Sequence, residues 1–353
     1  MKIIFTGNYS AGYNRISIIL EGLKNLPEIT VIEYPIQNKK KCNIQELRSV
    51  LKQGDVIFLP SFTHKYVRFI KRHTDKPICF DPLISKYMTK VLDYKLVWKY
   101  SPRALKNYYK DKRALSACDF MLADTNTHKE YYAKSFSISR SKIFVLPIGV
   151  NTDDFKPHTI KNKNNLITKV GFYGGFIPLQ GVSNIIEAAR LLSNKPHIQF
   201  ELVGNGFEYS DMVKKAESYK LQNLAFIDWQ DFHKLPDIIS SWDICLGIFG
   251  NTPKADVVIP NKIFHYAALG KPIISKKTPA IYELFSESSI ALCSSQPQEI
   301  ADTIEYLISD PIKRCQLAEN ALHVAQSNNH RHIASSFVKI LSQGLQMKKQ
   351  SKI

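Results

Sequence analysis

The sequence predicts an α/β protein made of two successive parallel sheets, and three observations carry that prediction. Short apolar runs alternate with helical patterns of 10–15 residues, which is the signature of βαβ units. The alternation stops in a polar stretch, LPIGVNTDDFKPHTIKNKNN (146–165), and then begins again. Each round opens on a strand that runs into glycine, KIIFTG (2–7) and LITKVGFYGG (166–175). Together these describe two Rossmann-like domains.

The first round continues from KIIFTG with a helix near Arg15–Leu26, the strand TVIEYP and a helix near Ile44–Gln53. The strand DVIFLP, a helix near Tyr66–His73 and the strand KPICFD follow. After LITKVGFYGG, the second round has a helix near Val182–Leu192, IQFELVG, a helix near Tyr209–Tyr219 and LAFIDW. A helix near Leu235–Ser241 and the strand DICLGIF lead into VIPNKIFHYAALGKPII (258–274). There Asn261 suits an N-cap, Gly270 a helix stop, and Pro272 cannot continue the helix. Residues after about Ala301 read as helices, and the terminal KKQSKI reads as frayed. The expected domains are 1–150 and 158–330, with a helix at 331–353 packing back towards the first domain.

Composition narrows the partners. The chain has 353 residues, 44% apolar and 11% aromatic, enough for two cores and unlike a disordered or fibrous chain. Its six cysteines are scattered, with no metal-ligand spacing, and read as reduced core residues of a cytosolic protein. The start Met1-Lys2-Ile3-Ile4-Phe5 reads as a strand rather than a leader, and no apolar run approaches the roughly 18 residues of a membrane span. A soluble protein is expected. The net charge of +17 is uneven: residues 1–150 carry 26 Lys+Arg against 12 Asp+Glu. The first half should therefore face something anionic.

Ligands of such sheets lie beyond the carboxyl ends of the strands. Gly7, Asn8 and Tyr9 stand there in the first domain. Gly174, Gly175, Gly204, Asn205, Asn261 and Lys262 stand there in the second. No loop matches the dinucleotide or P-loop pattern. Lys262 falls in a first helical turn, where the helix dipole disfavours a cation. Its position makes sense if an anion binds at the same place.

The segments FYGGFIPLQGVSNIIEAARLL, IQFELVGNG, LAFIDW, LPDIISSWDICLGIF and IPNKIFHYAALGKPII, in that order, resemble the donor-binding half of retaining glycosyltransferases of family 4. LPIGVNTDDFKP is similar to that family's interdomain junction, and SACDFMLADTNTHKEYYAKSFSISRSKIFVLP to the end of its first domain. The likeness covers Ala117–Ile274; before that, KPICFDPLISKY is the one familiar segment. It implies a GT-B architecture, two Rossmann-like domains facing a central cleft, with a nucleotide-diphosphate sugar in the second domain and an acceptor in the first. It implies no metal and no cofactor, because basic side chains and helix N-termini hold the diphosphate.

Residue by residue, the resemblance puts donor contacts at Gly174, Gly175, Gly204, Asn205, Lys254, Asn261, Lys262, His265 and Glu283. Many members carry Arg and Lys where Gly175 and Gln180 stand, and paired glutamates where Val257 and His265 stand. The phosphate charge then falls to Lys254 and Lys262, and Asp256 offers a replacement acid. Asp81 and Lys262 are the expected catalytic pair, Asp81 supporting positive charge at the anomeric carbon. A structural aspartate capping the following turn is its competing reading. Gly7, Asn8, Tyr9 and His64 are expected on the acceptor side.

The segment DYKLVWKYSPRALKNYYKDKRALSACD (93–119) interleaves cations with aromatics, and Lys95, Trp98, Lys99, Arg103, Lys106 and Lys110 read as a contact with an anionic membrane surface. No nucleic-acid-binding signature accompanies the charge. The expected protein is a retaining transferase at the inner face of the membrane, acting on a glycan or lipid-linked acceptor of lipopolysaccharide type. A nucleotide-sugar epimerase or hydrolase of the same architecture, or a membrane-associated binding protein, are the alternatives.

Overall fold

The structure is a computed structural model that describes residues 1–158 and 166–350. Residues 159–165 of the expected linker, at the start of the expected second domain, and 351–353 of the expected frayed end lie outside the described residues. Two compact units emerge: Met1–Gly149 together with His330–Ile353, and Val150–Asn329.

The first unit holds strands β1 (Lys2–Gly7), β2 (Thr30–Pro35), β3 (Val56–Leu59), β4 (Ile78–Phe80), β5 (Phe120–Ala123) and β6 (Ile143–Val145). All pair in parallel, in the order β2-β1-β3-β4-β5-β6. Helices α1 (Asn14–Leu23), α2 (Ile44–Gln53), α3 (His64–Lys71), α4 (Pro102–Ala117) and α5 (Asn126–Phe136) connect them. Strands β3, β4 and β5 are buried along their whole length, as parallel strands covered on both faces must be.

The second unit repeats the plan with β7 (Thr168–Tyr173), β8 (Ile198–Val203), β9 (Leu224–Ile227), β10 (Ile244–Leu246), β11 (Ile273–Lys276) and β12 (Ala291–Cys293). Their parallel order is β12-β11-β10-β7-β8-β9. Helices α6 (Val182–Leu191), α7 (Tyr209–Ser218), α8 (Leu235–Ser240), α9 (Asn261–Ala268), α10 (Pro297–Ser309) and α11 (Pro311–Ser327) complete it. Strand order reverses between β7 and β10 here and between β1 and β3 in the first sheet, so each sheet has a crevice where ligands of such folds bind.

The last helix, α12 (His330–Gln350), belongs to the first unit and lies along α1. A Cβ added at Gly22 of α1 would collide with the His330 carbonyl oxygen, so the helices meet backbone to backbone. All six cysteines are free thiols.

One expectation about α9 needs correcting. Pro260, in extended conformation, precedes the helix; Asn261 is its first residue and makes no capping bond. The stop is as expected: Gly270 takes φ 63°, and the Lys271 N–H donates back to the Tyr266 carbonyl.

Candidate functional site

In the second unit the site begins with two glycine loops at the carboxyl edge. Gly174 leaves β7 at φ 149°, and a Cβ there would sit 2.8 Å from the Lys262 ammonium nitrogen. Gly204 leaves β8 at φ 130°, and its Cβ would overlap the Gly174 carbonyl oxygen. A side chain at Gly204 would force the loops apart, and one at Gly174 would displace the Lys262 ammonium. The Phe176 N–H donates to the Asn205 carbonyl and the Gly206 N–H to the Asn205 side-chain oxygen, which fixes the second loop against the first.

Lys262, the second residue of α9, reaches under these loops and is 3% exposed. Its Nζ donates to Gln180 Oε1 at 2.6 Å and lies 3.5 Å from the centre of the Phe172 ring. Among the described residues no carboxylate pairs with it. Burial alone pushes its pKa well below the usual lysine range. An ammonium kept from water without a counter-ion is unstable as a cation.

His265, one turn later, is fully enclosed. Tyr173 Oη lies 2.5 Å from its Nδ1, and Phe155 stacks on the imidazole with centroids 4.0 Å apart. Burial lowers its pKa to about 3, so the ring is neutral. The Tyr173 N–H donates to Tyr266 Oη, locking α9 against β7. His265 is thus buried beside Lys262 on the same helix. Lys254 is also buried, at 7% exposure, while Asn261 and Glu283 are half-buried, Glu283 ending a short 3₁₀ turn. Asp256, offered as a replacement acid, pairs at 3.0 Å with Lys276.

The first unit corrects two expectations. Asp81 is 1% exposed and offers no free carboxylate. Arg15 Nε donates to its Oδ2 at 2.5 Å, and the Leu83 N–H donates to Oδ1, capping the turn after β4. Arg15 Nη1 also donates to the Leu146 and Pro147 carbonyls. Burial raises the Asp81 pKa and the arginine opposes it. Asp81 therefore tethers α1 to β4, and the catalytic role expected of it is withdrawn. His64 likewise does not face solvent: it is 5% exposed, packed edge-on to Phe80, with burial lowering its pKa to about 3. Gly7 takes φ 109°, beneath the Thr63 side chain. Asn8 and Tyr9 bond to the Gln37 carbonyl and the Glu33 carboxylate beside β2.

The basic segment is largely outside the core. Trp98 and Tyr100 are 72% and 75% exposed and meet edge to face, while Leu96, Leu105 and Tyr109 are exposed beside them. Lys95, Lys99, Arg103, Lys106 and Lys110 are exposed on the same stretch. Among the described residues no helix is long and apolar enough to cross a membrane, and no cluster of three or more acidic, His or Cys side chains could hold a metal.

A family model described as glycosyl transferase-like matches residues 183–339, which include Gly204, Asn205, Lys262 and His265. The match spans less than half of the chain. Over 103 residues the chain is 34% identical to a protein of Escherichia coli (strain K12) named as a colanic acid biosynthesis glycosyl transferase, WcaI, covering 29% of this chain and 25% of that one. Over 160 residues it is 26% identical to a protein of Bacillus subtilis (strain 168) named as a teichuronic acid biosynthesis glycosyltransferase, TuaH, covering 43% and 38%. The matched stretches thus span well under half of these relatives. The crystal structure of HepE from Anabaena in complex with UDP and glucose aligns with a TM-score of 0.73 at 17% identity, covering 97% of this chain and 99% of that one. The fold is GT-B.

Two residues that shape this site were not expected from sequence. Gln180 receives the Lys262 ammonium across 82 positions, and Tyr173 holds His265 across 92. Arg15, in the first unit, is a third, its signal being an arginine in the first turn of a helix.

Proposed function

We propose that the protein is a retaining glycosyltransferase that moves a sugar from a nucleotide-diphosphate donor to a glycan or lipid-linked acceptor in bacterial-type surface polysaccharide synthesis, lipopolysaccharide included. The buried Lys262, with no acid beside it and two glycine loops over it, is the observation that carries this reading. A diphosphate arriving at those loops supplies the missing counter-ion. The donor class is supported by the UDP held in HepE, and the pathway class by the polysaccharide names of the two bacterial relatives.

In this mechanism the acceptor hydroxyl oxygen bonds to the anomeric carbon as the bond to the diphosphate oxygen breaks on the same face. The hydroxyl proton passes to the departing oxygen, whose charge Lys262 and the Gly174–Gly175 backbone stabilise without a metal. The donor positions Gly204, Asn205, Lys254, Asn261, His265 and Glu283 belong to the same proposal, as do Gly7, Asn8 and Tyr9 for the acceptor. The exposed Trp98–Tyr100 patch among cations favours a peripheral position on the inner, anionic membrane face.

Thermal unfolding with UDP, GDP, ADP and CMP tests the donor site on the wild type and on Lys262→Met. At 100 times its dissociation constant a ligand stabilises by about 2.7 kcal/mol, a shift of several degrees. One nucleotide should shift the wild type and leave the variant unmoved. If none shifts the wild type, the reading fails.

A further inference from the structure

A second basic site lies in the first unit, apart from the donor loops. A cavity of about 300 Å³ is lined by Lys65, Lys86, Lys90, Lys110, Thr89 and Asn107, with Ile84 as its apolar wall. Ligand pockets span about 300–1,000 Å³, so this one suits a head group and excludes a whole glycan. Lys65 follows β3 and Lys86 follows β4, which puts the cavity at the carboxyl edge of the sheet.

The cavity is held in shape by buried groups. Asp111, 0% exposed, accepts the Ser85 hydroxyl at 2.7 Å and the Tyr87 N–H at 2.8 Å, so it clamps both neighbours of Lys86. Thr89 and Lys90 are carried on a single π-helix, Met88–Asp93, a rare element that recurs at functional sites. The Thr89 hydroxyl oxygen is buried without a hydrogen-bond partner. Among the described residues none of the four lysines makes an ion pair. Burial first, and then the like charges of Lys65, Lys110 and Lys90, work against the charge on Lys86, with Asp111 opposing them. Lys65, Lys90 and Lys110 are exposed and Lys86 is half-buried, so four ammonium groups meet at one hollow, and a polyanion there would relieve their mutual repulsion.

We infer that the cavity lined by Lys65, Lys86, Lys90 and Lys110 binds a phosphate or diphosphate group, the lysines supplying the charge and the Asn107 amide a directed hydrogen bond. That the group belongs to the acceptor rests on the proposed transferase function; its binding does not.

Calorimetric titration of the full chain with inorganic pyrophosphate, in saturating UDP, tests this. The wild type should bind pyrophosphate more tightly than inorganic phosphate. Lys86→Gln/Lys90→Gln should lose at least tenfold in pyrophosphate affinity and keep its UDP affinity. Charge reversal at the exposed Lys90, Lys90→Glu, should lose as much, and serves if the double variant folds poorly. Sedimentation with phosphatidylglycerol vesicles separates the two sources of phosphate: the double variant should sediment as the wild type does. Unchanged pyrophosphate binding in both variants overturns the inference, as does a loss confined to vesicles. If UDP fails to bind at all, the donor reading falls, while the dependence of pyrophosphate binding on Lys86 and Lys90 still decides the cavity.

Discussion

Arg15 and Lys262 occupy the same position in their two units, the second residue of a helix at the carboxyl edge of a parallel sheet. Both are almost wholly buried, at 1% and 3% exposure. Arg15 meets the Asp81 carboxylate and two carbonyl oxygens. Lys262 meets a neutral amide oxygen and an aromatic ring. The first cation is answered from within the chain and holds α1, β4 and the segment after β6 together. The second is answered only in part. That difference separates a structural cation from one that an external anion would complete.

The largest effect should come from breaking the internal pair. Arg15→Met leaves Asp81 buried without its partner, which costs about 3–5 kcal/mol. Lys262→Met loses one hydrogen bond, about 1 kcal/mol, and removes a poorly solvated ammonium in exchange. Urea unfolding of both variants should show a severe loss for the first and little or none for the second. Equal losses would erase the distinction.

The two buried histidines extend the comparison to acid. His64 and His265 are both neutral when folded, with pKa values lowered to about 3, chiefly by burial. An unfolded histidine titrates near 6.5, so below that pH the unfolded chain binds more protons and stability falls. In the first unit Asp111 opposes this: burial raises it to about 6, so it takes up a proton in the folded state over the same range. In the second unit burial is what lowers the pKa of His265. His265→Gln should reduce the slope of stability between pH 6 and 5 by about 1.2 kcal/mol per pH unit. An unaltered slope would mean that the ring is not held neutral.

The parallel sheets were legible because apolar runs such as VIFL and IQFELV alternate with punctuated helices, a local pattern that survives folding. Lys262 was legible for a similar reason: a cation in a first turn conflicts with the helix dipole, and the conflict is visible in nine residues. β12, in contrast, is only three residues long and was not anticipated. Asp81 was misread because its partner lies 66 positions away. A carboxylate after a strand looks the same in sequence whether it faces a ligand or an arginine. Gln180 was noted as a lost charge, whereas its amide oxygen is what holds Lys262; a lysine there would repel it.

The most direct test of Lys262 as an ammonium completed by the donor diphosphate is calorimetry of UDP binding at pH 8, in buffers of different ionisation enthalpy. At that pH the nucleotide's own phosphates, with a second pKa near 6, are already ionised. Burial depresses the lysine in the free protein, and an adjacent dianion restores its pKa, so binding should take up protons and weaken as pH rises. Net proton uptake in the wild type, absent in Lys262→Met along with most of the affinity, is the predicted result. UDP binding with no proton uptake, or with equal affinity in the variant, would contradict the account.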